Sequence, residues 1–95
     1  MIIVREYFIA KPGQASKLAN LLKEAMKLAG DDKCRVMTDL TGAFNHVVMV
    51  TEVESFAAME KRMEEYGKNE ALREKMKGYT DLYISGGREI YRVVS

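Results

Sequence analysis

The order of its periodic segments constrains this chain more than any single motif. Ile2 to Ala10 is dense in β-branched and aromatic residues and stops at Lys11-Pro12-Gly13, so it reads as a strand. From about Gln14 to Ala29, Leu18, Leu21, Leu22, Ala25, Met26, Leu28 and Ala29 recur at three and four, with Lys17, Asn20, Lys23, Glu24 and Lys27 opposite. That spacing predicts an amphipathic helix, with Pro12 at its approach and Gly30 as its stop. Lys33 to Leu40 and Phe44 to Val53 read as two strands joined through Thr41-Gly42-Ala43, a connection short enough to impose a hairpin. Ser55 then caps a stripe of Phe56, Met59, Met63 and Tyr66. A second stripe, Leu72, Met76, Tyr79 and Tyr83, is offset across Gly67-Lys68-Asn69, which predicts a helix in two pieces. Gly86-Gly87 closes that region, and Arg88 to Val94 alternates as the last strand.

Strand, helix, strand, strand, helix, strand is the split βαβ order of a ferredoxin-like α+β domain, and no linker or repeat divides residues 1–95. Right-handed crossovers place the third strand between the first and second, and the first between the third and fourth. The result is a four-stranded antiparallel sheet with both helices on one face.

The uncovered face is where the pattern departs from a monomer. Strand one carries Ile3 and Ile9 on one side and Ile2, Val4 and Phe8 on the other, and strand three sets Phe44, Val48 and Val50 against Val47, Met49 and Val53. A sheet face that meets water is ordinarily polar. Two apolar faces therefore predict a second copy of the chain, packed sheet to sheet around a two-fold axis as a homodimeric α/β barrel.

Composition narrows the partners. Fifteen Lys and Arg against fourteen Asp and Glu leave a net charge of +1, without the clustered cationic charge that nucleic acids or anionic membranes demand. No apolar run approaches the roughly 20 residues of a membrane span. One cysteine, Cys34, and one histidine, His46, rule out a disulfide framework and any transition-metal site built from several such ligands. A reducing, cytoplasmic setting is the expectation. No flavin, nicotinamide or haem signature is present, so no cofactor is expected.

Candidate chemistry gathers on few residues. His46 shares a side of its strand with Phe44, Val48 and Val50; an imidazole there moves protons or holds a ligand if that side lines a pocket, and is otherwise a hydrogen-bonded structural histidine. Arg5 and Tyr7 share a face of strand one, Arg88 and Arg92 a face of strand four, and the topology makes these strands neighbours. They form either a cationic, phenol-bearing wall or cross-strand pairs with Glu6, Glu89 or Glu52. The sequence thus nominates His46, Tyr7 and Arg5 for catalysis, and Arg88, Arg92, Phe44, Val48 and Met49 for ligand contact, with no metal site. The helical methionines and Tyr66, Tyr79 and Tyr83 read as packing residues. Cys34 is not expected to be a nucleophile, because alternation turns Lys33 and Arg35 away from it.

Lys11-Pro12-Gly13 after strand one, Gly42-Ala43-Phe44-Asn45 leading to Glu52-Val53-Glu54-Ser55-Phe56, and the closing Gly86-Gly87-Arg88-Glu89-Ile90-Tyr91-Arg92 resemble the dimeric α/β-barrel superfamily over nearly the whole chain. Within it, the chain is similar to the NIPSNAP-like and antibiotic-biosynthesis-monooxygenase-like small proteins. Arg5-Glu6-Tyr7 resembles the Arg-x-Tyr pair that precedes Pro-Gly in NIPSNAP-like sequences, but stands one residue farther from Pro12. The leading expectation is a homodimeric barrel that binds a small, partly apolar organic molecule between sheet and helices, and the resemblance bears on its chemistry. The resemblance implies cofactor-independent oxygenation, in which the substrate's own carbanion reduces oxygen and the protein excludes water. The alternatives are a ligand-sensing or stress-related barrel and a structural assembly module. Several oxygenating branches use a pocket tryptophan, and this chain has none.

Overall fold

Residues 1–95 are described by a computed structural model. Strand β1 spans Ile2–Ala10, helix α1 Ala15–Leu28, β2 Arg35–Thr38, β3 His46–Val53, α2 Phe56–Lys68, α3 Glu70–Lys75 and β4 Tyr83–Arg92, with a single 3₁₀ turn at Tyr79–Leu82. The sheet order is β2-β3-β1-β4, every pairing antiparallel, so the fold is the ferredoxin-like α+β arrangement that the segment order predicts. No helix is long and apolar enough to cross a membrane.

Alternation assigns the two faces. Ile2, Val4, Phe8 and Ala10 of β1, with Val47 and Val53 of β3, are buried beneath the helices. Ile3, Arg5, Tyr7 and Ile9, with His46, Val48 and Val50, occupy the opposite face and stay partly exposed. The main core lies under α1, where Leu18 and Leu22, at most 1% exposed, close on Phe8, Ala10 and Val47, and Ala25 is fully buried as well. Over the other half of the sheet, α2 contributes no fully buried residue.

Three junctions shape that second half. α1 ends with Gly30 at φ +74°, its N–H donating to the Lys27 carbonyl and the Asp31 N–H to the Met26 carbonyl, at 3.1 and 3.0 Å. This left-handed turn sends Asp31 back under the helices. Ser55 caps α2 by accepting the Ala58 N–H at 3.2 Å. Asn69 separates α2 from α3, as the offset stripes predict: its Oδ1 accepts the Leu72 N–H at 3.0 Å, and its Nδ2 donates to the Leu28 carbonyl at the end of α1 at 3.1 Å.

Two boundaries differ from expectation. The hairpin strands are shorter, because Asp39 Oδ1 accepts the His46 N–H at 3.0 Å and Asn45 takes a left-handed φ of +62°. Those contacts end the ladder, so Phe44 lies in the connecting loop, 88% exposed, rather than in β3. Gly86 and Gly87 sit inside β4 instead of ahead of it. A Cβ on Gly86 would stand 2.5 Å from the Tyr7 carbonyl oxygen, and one on Gly87 2.7 Å from the Tyr7 hydroxyl. The glycines allow close approach across the sheet, a role that looks identical to a turn in the sequence.

Candidate functional site

Between the sheet and the α2–α3 roof lies a cavity of about 220 Å³. Val4 and Glu6 of β1, Met49 and Thr51 of β3 and Arg88 of β4 form its floor; Met59, Arg62, Met63 and Tyr66 of α2, Leu72 of α3 and Met76 form the roof. Met26, Asp31 and Cys34 close one side. Five of the chain's seven methionines therefore meet here, because helical spacing in α1 and α2 and strand alternation at Met49 all turn them inward. A second hollow of about 340 Å³ shares Glu6, Met26, Met49, Met76 and Arg88 with it and reaches Tyr79 and Tyr83. Thioether side chains make an adaptable, polarisable lining.

The polar groups of the cavity fall into two sets. Asp31, 4% exposed, is the hub of the first: its Oδ2 accepts from Arg62 at 3.2 Å, from the Tyr66 hydroxyl at 3.1 Å and from the Thr51 hydroxyl at 3.4 Å, while Oδ1 accepts the Lys33 N–H at 3.3 Å. Burial, the Asp31 charge and that hydrogen bond push the Tyr66 phenol well above its ordinary range, so it stays a donor. Burial, with Asp31 and Glu6 adding to it, pushes the Cys34 thiol up to about 11. It is therefore a protonated thiol at neutral pH, as expected of a non-nucleophile. The second set is Arg88 and Glu6, directly opposite in the β1–β4 ladder and 3.5 Å apart.

The residues nominated from the sequence do not share one site. Met49 and Arg88 line the cavity. Arg92 also points to the helix side, opposite Ile2 in the ladder, but at the end of the strand and beyond the cavity lining. His46, Tyr7, Arg5 and Val48 lie on the uncovered face, and Phe44 is on the loop. The cationic wall is not formed, because Arg5 is odd in β1 and pairs opposite Glu89, while Arg88 lies opposite Glu6 on the other side of the sheet. The cross-strand alternative holds instead: Arg5 donates to Glu89, and Arg88 pairs with Glu6. On the uncovered face the Arg5 guanidinium stacks 4.9 Å from the centre of the Tyr7 ring, and His46 meets that ring edge-on at 6.0 Å. The His46 Nε2 is buried and makes no hydrogen bond.

Sequence reasoning missed Asp31, Arg62, Tyr66, Thr51 and Glu6 as cavity residues. A usable signal existed in part. Arg62 and Tyr66 stand at i, i+4 on one side of α2, next to Met59 and Met63, and Asp31 follows the helix-ending glycine directly.

Compared by sequence, the chain matches no family model and no curated protein. Compared by structure, it is similar to a NIPSNAP domain protein of Burkholderia xenovorans, with a TM-score of 0.85 at 9% identity over 100% of this chain and 96% of that one. A NIPSNAP family protein of Agrobacterium tumefaciens aligns with a TM-score of 0.81 at 12% identity, over 95% of this chain and 82% of the other. An antibiotic biosynthesis monooxygenase aligns over all of both chains, with a TM-score of 0.73 at 16% identity. The fold is thus the one shared by NIPSNAP and antibiotic-biosynthesis-monooxygenase-like proteins, as the sequence resemblance implies.

Proposed function

We propose that this protein is a homodimeric barrel that binds a small, partly apolar organic molecule between its sheet and its α2–α3 roof. The observation that carries the reading is the cavity of about 220 Å³, lined by five methionines and edged by the Asp31–Arg62–Tyr66 and Glu6–Arg88 groups. An apolar hollow with a few converging polar groups is the usual build of a small-molecule site. The dimer belongs to the reading because Ile3, Ile9, Val48 and Val50 share a face that nothing in the chain covers. Arg5, Tyr7 and His46, which stack on one another on that face, then serve that interface.

Methionines labelled at the methyl carbon provide the test. With a small apolar probe such as indole, the methyls of Met26, Met49, Met59, Met63 and Met76 shift saturably in NMR spectra, while the exposed Met1 and Met37 do not. Absence of saturable shifts at the five overturns the binding site. Sedimentation at micromolar concentration gives a dimer, and Val48→Asp, which places a charge on the uncovered face, gives a monomer or an unfolded chain. A well-behaved wild-type monomer overturns the barrel.

Cofactor-independent oxygenation is a second reading, favoured by the structural similarity to an antibiotic biosynthesis monooxygenase. Its readout is oxygen consumption with a panel of quinols. Tyr66→Phe and Arg62→Gln, which alter the cavity, reduce turnover in that case, and His46→Ala, on the far side of the sheet, reduces it less.

A further inference from the structure

The charges around the cavity cancel in place. Four ionisable side chains of formal charge reach it, and they form two closed pairs: Arg62 with Asp31 at 3.2 Å, and Arg88 with Glu6 at 3.5 Å. Asp31 is the more fully committed of the carboxylates. Its side chain is 4% exposed and one oxygen, Oδ2, already accepts from Arg62, Tyr66 and Thr51. Neither arginine stands as an unopposed cation, and neither carboxylate as an unopposed anion.

We infer that the cavity selects uncharged ligands, and that Asp31, by occupying Arg62, is the residue that sets this selectivity. The inference rests on reading the cavity as a ligand site. An anion entering the hollow gives up its hydration and meets only cations already neutralised by Asp31 and Glu6, so it gains no net countercharge in return. An organic cation meets the same obstacle in reverse. A neutral molecule with an apolar body keeps both pairs intact and fills the thioether-lined space. The raised Cys34 and Tyr66 groups agree with this, since both report surroundings in which a new negative charge is resisted. Such a site recognises phenols, alcohols, ketones or quinones in their neutral forms and rejects carboxylates and phosphates of the same shape.

The experiment uses three probes of one shape, naphthol, naphthoate and naphthylmethylammonium, titrated at neutral pH against the methyl-labelled methionines. Naphthol moves the five cavity methyls with an affinity roughly tenfold or more above that of either ion, because the ions lose hydration without gaining a partner. In Asp31→Asn, Arg62 is released and the affinity for naphthoate relative to naphthol rises roughly tenfold. Should that buried substitution fail to fold, Glu6→Gln frees Arg88 at the half-exposed pair and shifts the preference the same way. Naphthoate or the ammonium probe binding the wild type as tightly as naphthol overturns the inference, as does an unchanged ratio in the folded variants, and either result leaves the binding site standing. If none of the three moves the cavity methyls, the binding site itself falls and takes the inference with it.

Discussion

The two halves of the helix-covered face are built from the same kinds of element and filled in opposite ways. Under α1, Leu18 and Leu22 seat on Phe8, Ala10 and Val47 and leave almost no exposed surface. Under α2 and α3, Met59, Met63 and Met76 span a hollow in which Leu72 is the one buried helix residue, and only a small cluster of Ile2, Val4 and Val53 packs against Met59. Leucine, alanine and valine have few rotamers and pack densely; methionine has three rotatable bonds and accommodates changing contents. The contrast teaches that one helix carries most of the stability, leaving the other free to roof a site.

Substitutions break this contrast most strongly on its packed side. Leu22→Ala removes a side chain 1% exposed, and urea unfolding at fixed protein concentration shows a loss of about 3 kcal/mol. Asp31→Ala leaves Arg62, Tyr66 and Thr51 without their acceptor, for a loss of about 2 kcal/mol after allowing for the partial exposure of Arg62. Met59→Ala enlarges an existing hollow and strips one contact from the small Ile2–Val4–Val53 cluster, and costs about 1 to 2 kcal/mol. A cost for Met59→Ala equal to that of Leu22→Ala would erase the distinction between the halves.

Cys34 sharpens the comparison at the smallest scale. Its thiol is raised from 9.0 to about 11 in the folded protein, so the fold favours the protonated form. The resulting stabilisation is present below pH 9 and fades as pH climbs toward 11, because above both values the two states are equally ionised at this group. Cys34→Ser flattens the stability profile over that interval. Alkylation by iodoacetamide near neutrality runs roughly tenfold or more below that of an unfolded cysteine peptide, since the thiolate is the reacting form.

How far this was legible in the sequence depends on the range of the forces involved. Element order, sheet topology and the break at Asn69 follow from periodicity and local capping, which neighbouring residues determine. The strand assigned to Arg88–Val94 begins earlier, at Tyr83, because the glycines that look like punctuation are packed against Tyr7 from a strand far away in the chain. The site was less legible for the same reason. Strand alternation put Arg5 and Tyr7 on one face and Arg88 and Arg92 on one face, but only the β1–β4 register shows these to be opposite faces. Asp31 gathers partners 20, 31 and 35 residues away, a convergence that no short motif records.

Asn69 has a consequence for the geometry of the whole molecule. A single carboxamide starts one roof helix with its oxygen and ties that corner to the end of α1 with its nitrogen, so the pitch of the roof is fixed at a residue outside the cavity lining. Replacing it with aspartate keeps the acceptor and deletes the donor. The span beneath can then widen without a change in any side chain that touches its contents.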